Sequence, residues 1–219
     1  MTLSSITLVK NGMPFIGKVL KQVAPYMKDM VITISENSND GTLKEIYREL
    51  EEYKDKIKLD FENVASPGAL TQIENRQLTM TDSDWILFLS DDDYWKREDL
   101  ELCLKAIESP YNQDYLAYSV SPYQLLDFEH YDASWDKKSF SKFLKRDGLQ
   151  FIRPWPKDLP ADKWGEPLYH KTHLKVHRLP YRFYHLSYLK NHSFRTEEWA
   201  IKYRFKKGSA VPLNKPLVI

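Results

Sequence analysis

Three carboxylates stand in a row at Asp91-Asp92-Asp93, directly after the uncharged run Trp85-Ile86-Leu87-Phe88-Leu89. Such a run predicts a strand buried on both faces, as in a parallel sheet. Ligands in open α/β sheets bind at the carboxyl ends of strands, which is where these acids fall. Carboxylates so close repel one another unless a cation lies among them. Hard oxygen ligands at that density suit Mg²⁺ or Mn²⁺, with positions left over for substrate phosphates. The plainer alternative is that the acids cap a helix starting near Lys96-Arg97-Glu98, since Asp is a favoured N-cap. A second polar stretch, Ser35-Glu36-Asn37-Ser38-Asn39-Asp40-Gly41-Thr42, also follows an apolar run. There Glu36 is suited to accept from a ribose or a nucleobase. Asp40 or Thr42 would serve equally as a helix cap, and Gly41 as a tight turn. A glycine-rich phosphate loop of either common kind is absent, which counts against dinucleotide enzymes and P-loop NTPases.

These groups need a scaffold, and the first half of the chain predicts one. Ser5–Val9 and Met30–Ser35 read as strands. Phe15, Ile16, Val19, Leu20 and Val23 recur at helical spacing, as do Leu43, Ile46, Tyr47 and Leu50 after Asp40-Gly41-Thr42. A shorter strand is expected at Ile57–Phe61, a helix over Ala69–Met80, and the central strand at Trp85–Leu89. A helix through Leu100, Cys103, Leu104 and Ile107 and a strand at Tyr115–Val120 follow. Strands alternating with helices argue for βαβ units, a mostly parallel central sheet and an α/β fold. Phe128 to Trp164 is rich in aromatics, Pro, Lys and Asp with little periodicity, and is expected to form long loops and short elements over a sheet edge rather than a separate domain.

With 219 residues, 42% of them hydrophobic, the chain can bury the core of one ordinary α/β domain. Its net charge of +1 hides an asymmetry. Residues 1–110 carry 13 Lys/Arg against 20 Asp/Glu, while residues 111–219 carry 19 against 11 and all six histidines. An acidic half joined to a basic half fits a metal plus an anionic substrate, although a merely solvated asymmetry looks the same. The single Cys103 rules out an internal disulfide and falls at a helical core position. No apolar run approaches the roughly 20 residues of a membrane span, and Met1-Thr2-Leu3-Ser4-Ser5 lacks the charged start of a signal peptide. The expectation is a soluble cytoplasmic protein, with peripheral membrane contact left open.

Lys10-Asn11, Glu36 with Asp40-Gly41-Thr42, Asn75-Arg76 and Phe88-Leu89-Ser90-Asp91-Asp92-Asp93 together resemble the nucleotide-sugar half of a family 2 glycosyltransferase with the GT-A fold. Order and spacing match over roughly residues 5–95, and the strand-plus-acid element is the most specific part. The chain departs from that family's pattern with Glu36-Asn37-Ser38 for Asp-Gly-Ser, and with Ser90 for the first Asp of the acidic motif. The resemblance places the metal position on Asp92, with Asp91 and Asp93 able to contact ribose or metal. The register can also be read one residue away, because Asp91-Asp92-Asp93 is itself Asp-x-Asp. It further implies that Val9, Lys10, Asn11 and Glu36 hold the nucleoside, and that Arg76 reaches the diphosphate or braces the acidic loop. Arg suits phosphate through its forked donors; an ordinary surface Arg is the alternative.

Trp164-Gly165-Glu166-Pro167-Leu168 resembles a segment of bacterial members that build lipopolysaccharide-core and surface-polysaccharide sugars. An inverting transfer needs a general base near the acceptor hydroxyl, and Glu166 is the first candidate, followed by Glu197, Glu198 and Asp162. Tyr184-His185-Leu186-Ser187-Tyr188-Leu189-Lys190 looks like the histidine segment of the same group, which implies that His185 completes a metal shell with Asp92 and Asp93 or contacts the diphosphate; a structural histidine is the alternative. His170, His173 and His177 share one face if helical, which leaves a zinc site as a lesser alternative, but the segment's Thr, Val and Pro180 suit a strand or loop equally well.

The resemblance therefore implies one GT-A domain over 1–219, with a nucleotide-sugar half at 1–125 and a loop-rich acceptor half at 126–219. The implied reaction is a Mn²⁺- or Mg²⁺-assisted transfer from a nucleoside-diphosphate sugar, UDP-sugar first among them, to a carbohydrate or glycolipid hydroxyl with inversion. No nucleic-acid partner is expected. Trp135, Trp155 and Trp164 are candidates for stacking on sugar rings, with core packing as the alternative. Two competing functions are a sugar-phosphate nucleotidyltransferase, for which Lys10-Asn11-Gly12-Met13-Pro14 is a poor phosphate loop, and a non-catalytic binding module.

Overall fold

The structure is a computed structural model that describes residues 1–63, 67–112, 114–151, 168–170, 175–190 and 210–219. The expected alternation is present: β1 (Leu3–Val9), α1 (Ile16–Val23), β2 (Met30–Ser35), α2 (Thr42–Glu49), β3 (Ile57–Glu62), α3 (Pro67–Thr79) and β4 (Trp85–Phe88). β3, β2, β1 and β4 lie side by side and parallel. β1 and β2 are buried almost throughout, as strands covered on both faces must be. On one face of the sheet Ile16, Val19, Leu20 and Val23 of α1 meet Leu3, Val9, Met30 and Leu87. On the other, Ile6, Val31 and Ile86 meet Leu78 of α3.

The second half of the chain completes the same sheet. After β5 (Asp93–Tyr94) and α4 (Arg97–Glu108) come β6 (Ala117–Gln124), β7 (His130–Asp132), β8 (Phe140–Lys145), β9 (Leu149–Phe151), β10 (Leu168–His170), β11 (Val176–His185), α5 (Ser187–Lys190) and β12 (Ala210–Pro212). The strand order is β3-β2-β1-β4-β8-β6-β11-β5. β8 runs antiparallel between β4 and β6, whereas β6 and β11 are parallel. The short elements expected within Phe128–Trp164 include β7, β8 and β9, but β8 is a central strand of the sheet and not part of a loop over its edge. Periodicity hid β8 because its middle residue is a buried lysine, Lys142.

The strands β10 and β11 decide between the helical and the strand-or-loop alternatives for His170 and His177 in favour of strands. His170 ends β10 and His177 lies in β11, so the premise of one helical face fails. His177 instead packs its ring on Tyr115 and Tyr118; His173 lies outside the described residues. Cys103 is buried in α4, and burial pushes its thiol pKa far upward, which leaves it inert as a nucleophile. Among the described residues no helix is long and apolar enough to cross a membrane.

Candidate functional site

The β4 chain leaves the sheet at Leu89, whose N–H still bonds Ile6 O of β1 (3.1 Å), and turns through Ser90 to Asp92. The acids do not cap a helix. α4 begins at Arg97, its N-cap is Lys96, and no side chain caps it. Asp93 instead opens the two-residue strand β5, which pairs antiparallel with the end of β11, so that Asp93 faces His185 and Tyr94 faces Tyr184. A bond from Leu186 N–H to Asp92 O (2.8 Å) extends this ladder. Behind the turn, Trp95 is fully buried between Phe143 of β8 and Phe183 of β11, with ring centroids 5.6 and 5.4 Å away. The acidic turn is thus clamped by a hydrogen-bonded ladder on one side and an aromatic wedge on the other.

Asp92, Asp93 and His185 converge there, each offering a ligand atom, and these atoms lie within 4.8 Å of one another. His185 Nδ1 is 3.0 Å from Asp93 Oδ1 and 3.5 Å from Asp92 Oδ1. Ligands at right angles around an ion with bonds of roughly 2.1 Å stand about 3 Å apart. The two His185 distances are of that order, so the group could hold a small divalent cation, and two carboxylates with an imidazole are suitable donors for Mn²⁺. Asp93 is only 1% exposed. Its Oδ2 accepts from Lys142 Nζ (2.5 Å) and from Ser90 N (3.1 Å), while its Oδ1 faces His185.

The electrostatics follow from this burial. Burial alone would raise the Asp93 carboxyl, but the Lys142 ammonium and His185 outweigh it and hold it well below the usual carboxylate range. Burial alone would lower His185. The Asp92 charge and the bond to Asp93 reverse that and raise the imidazole, with Lys142 opposing. Lys142 escaped the sequence reading; its only trace there is a lysine flanked two residues either side by Phe140 and Leu144 on a strand face.

A second cluster lies one strand over, where the chain leaves β1 and β2. Asn11 adopts a left-handed φ of 54° that Asn tolerates. Its Oδ1 accepts from Asn39 N (3.0 Å), and its own N–H bonds Ser38 Oγ (3.2 Å). Asp40 Oδ2 accepts from Met13 N (2.9 Å), Asp40 Oδ1 from Thr42 N (3.1 Å) and Thr42 Oγ1 (2.5 Å), and Thr42 Oγ1 in turn accepts from Gly12 N (2.7 Å). Gly12 is required by close approach: a Cβ there would lie 2.6 Å from Val9 Cγ2 and 2.8 Å from Ile16 Cβ. Asp40 and Thr42 thus join two loops instead of merely starting α2, whose N-cap is Gly41 with φ of 88°.

Of the other sequence candidates, Val9 is fully buried at the end of β1, and Lys10 and Glu36 are exposed at the neighbouring strand ends. Glu36 N–H bonds Glu62 O (3.1 Å), which places it beside β3. Asp91 is half-buried in the acidic turn. Arg76 on α3 pairs with Asp60 and Glu62 of β3 (2.6 Å each) rather than with that turn. Trp135 packs on the His185 ring at 6.0 Å, with Lys138 Nζ 3.6 Å above the indole. Glu166, Asp162, Glu197, Glu198, Trp155 and Trp164 lie outside the described residues.

The architecture has known counterparts. It is similar to the mannosyltransferase PcManGT from Pyrobaculum calidifontis in complex with GDP-Man and Mn²⁺, with a TM-score of 0.51 and 19% identity over 73% of this chain and 49% of that one. It is also similar to TarS 1-349 from S. aureus, with a TM-score of 0.51 and 16% identity over 91% of this chain and 68% of that one. The same TarS fragment in complex with UDP gives a TM-score of 0.51 at 15% identity. These likenesses establish the GT-A fold, and the chain spans about half the length of the mannosyltransferase. No curated protein sequence matches the chain. The sequence pattern described as "Glycosyl transferase family 2" matches residues 6–157, a stretch that holds the acidic turn, the joined loops after β1 and β2, and Lys142, with His185 beyond it; the chain belongs to that family.

Proposed function

We propose that this protein transfers a sugar from a nucleoside-diphosphate sugar to an acceptor hydroxyl, with a divalent cation and by single displacement with inversion. The observation that carries the reading is the convergence of Asp92, Asp93 and His185, spaced as neighbouring ligands of one ion, at the carboxyl end of β4. The two fold relatives support the donor class, since GDP-Man with Mn²⁺ and UDP are what they are reported to bind.

In this reading Asp92, Asp93 and His185 hold Mn²⁺ or Mg²⁺, which when bound neutralises charge on a departing diphosphate. The joined loops that carry Val9, Lys10, Asn11 and Glu36 form the nucleoside floor, and Asp91 contacts ribose from the acidic turn. Arg76 orders the β3 edge of that floor through Asp60 and Glu62. Glu166 is the proposed base that takes the proton of the attacking hydroxyl as the bond from the anomeric carbon to the diphosphate breaks. The acceptor is a carbohydrate or glycolipid, met in the cytoplasm or at its membrane surface.

The test is a thermal-shift panel of UDP, GDP, ADP and CDP with and without Mn²⁺. A ligand that binds only the folded state raises the melting temperature. One nucleotide should do so, and more strongly with Mn²⁺ present. Release of pyrophosphate from nucleoside triphosphate and sugar phosphate, without turnover of a nucleotide sugar, would instead identify a nucleotidyltransferase.

A further inference from the structure

We propose that Lys142 is a positioning residue that keeps Asp93 a one-oxygen ligand and so selects small octahedral cations over Ca²⁺. The inference rests on the cation site proposed above and concerns a residue outside it. Lys142 is 2% exposed, on a strand 49 residues from its partner. Its ammonium lies 5.0, 5.6 and 5.8 Å from the ring centroids of Phe183, Phe88 and Phe140, a dry setting in which a lysine is costly to place.

What compensates is the contact with Asp93 Oδ2, an oxygen that also accepts from Ser90 N. With two donors on Oδ2, Asp93 can turn only Oδ1 toward His185 and the ion. Ca²⁺ takes six to eight oxygens and readily binds carboxylates through both, whereas Mg²⁺ demands near-octahedral geometry at about 2.0–2.1 Å. Occupying Oδ2 therefore penalises Ca²⁺ specifically. A simple counter-charge would act differently. Both ions carry the same charge, so loss of the lysine charge would shift both affinities together and leave their ratio unchanged.

The experiment measures Mn²⁺ and Ca²⁺ affinities by calorimetric titration of the full chain, as wild type, Lys142→Met and Lys142→Gln. Gln is too short to reach Oδ2 but keeps a polar group, so it serves if the Met variant does not fold. Wild type should bind Mn²⁺ more tightly than Ca²⁺, and in either folded variant that preference should shrink at least about tenfold, the usual scale for residues that orient metal ligands. A preference unchanged within about twofold in a folded variant overturns the role of Lys142 alone. Wild type binding Ca²⁺ as tightly as Mn²⁺ overturns it without any variant. Wild type binding neither ion overturns the cation site itself, and the inference with it.

Discussion

Asp40 is where the link between the two loops that follow β1 and β2 can be measured. It accepts three hydrogen bonds, one from Met13 N across the loops and two from Thr42 within its own. A hydrogen bond to a charged group contributes about 1.5–3 kcal/mol net, with the lower end suited to a half-exposed carboxylate whose bonds are not additive. Asp40→Ala should therefore cost about 2–4 kcal/mol. Asp40→Asn keeps one oxygen for Thr42 but turns an amide N–H₂ toward the Met13 N–H, and should cost about half as much. Burial opposes ionisation of Asp40, but the Thr42 and Met13 bonds prevail and lower its pKa. A carboxyl lowered in the folded state adds stability that is complete above its unfolded value, about 3.9, and is lost as pH falls toward the folded one. The gap between wild type and Asp40→Asn should thus be full near neutral pH and narrow below about pH 4. Urea unfolding followed by tryptophan fluorescence at several pH values reads both quantities. Equal stability of the three proteins at neutral pH, or a gap that stays constant into acid, would refute the reasoning.

Three further outcomes are expected. Asp92→Asn should leave the urea midpoint nearly unchanged while abolishing the Mn²⁺-dependent thermal shift and lowering turnover by at least about a hundredfold, in keeping with several kcal/mol of leaving-group assistance. Gly12→Ala should lose about 1–3 kcal/mol by overpacking against Val9 and Ile16, read in the same unfolding assay, and should weaken donor binding with it. Trp95→Ala should cost about 3–5 kcal/mol by emptying the space between Phe143 and Phe183, and should loosen Mn²⁺ binding because it frees the acidic turn.

The parallel half of the sheet was legible because its elements carry simple local patterns: uncharged, mostly apolar runs in β1, β2 and β4, and helical spacing in α1 and α2. The acids after β4 were legible for a related reason, since a charge cluster that ends a buried strand has few uses. His185 was legible only through family resemblance, because nothing in composition separates it from the five other histidines. What stayed hidden depends on pairing between distant residues. β5 has only two residues, too few to show a period, and exists because β11 offers it a partner. β8 reads as a broken pattern until Asp93 supplies a reason for a lysine inside it. Arg76 was placed on the correct helix, yet its partners lie on β3, a strand whose acids carried no signal of their own.

The ladder between β5 and β11 has a consequence for how the protein comes into being. Asp93 and His185 stand 92 positions apart in sequence. Synthesis delivers the carboxylates well before the imidazole, so an emerging polypeptide carries its acidic turn as an unzipped edge until β11 arrives. If the proposed site takes a cation, its capture is then a last act of folding, open only to a chain that has been made at least as far as His185.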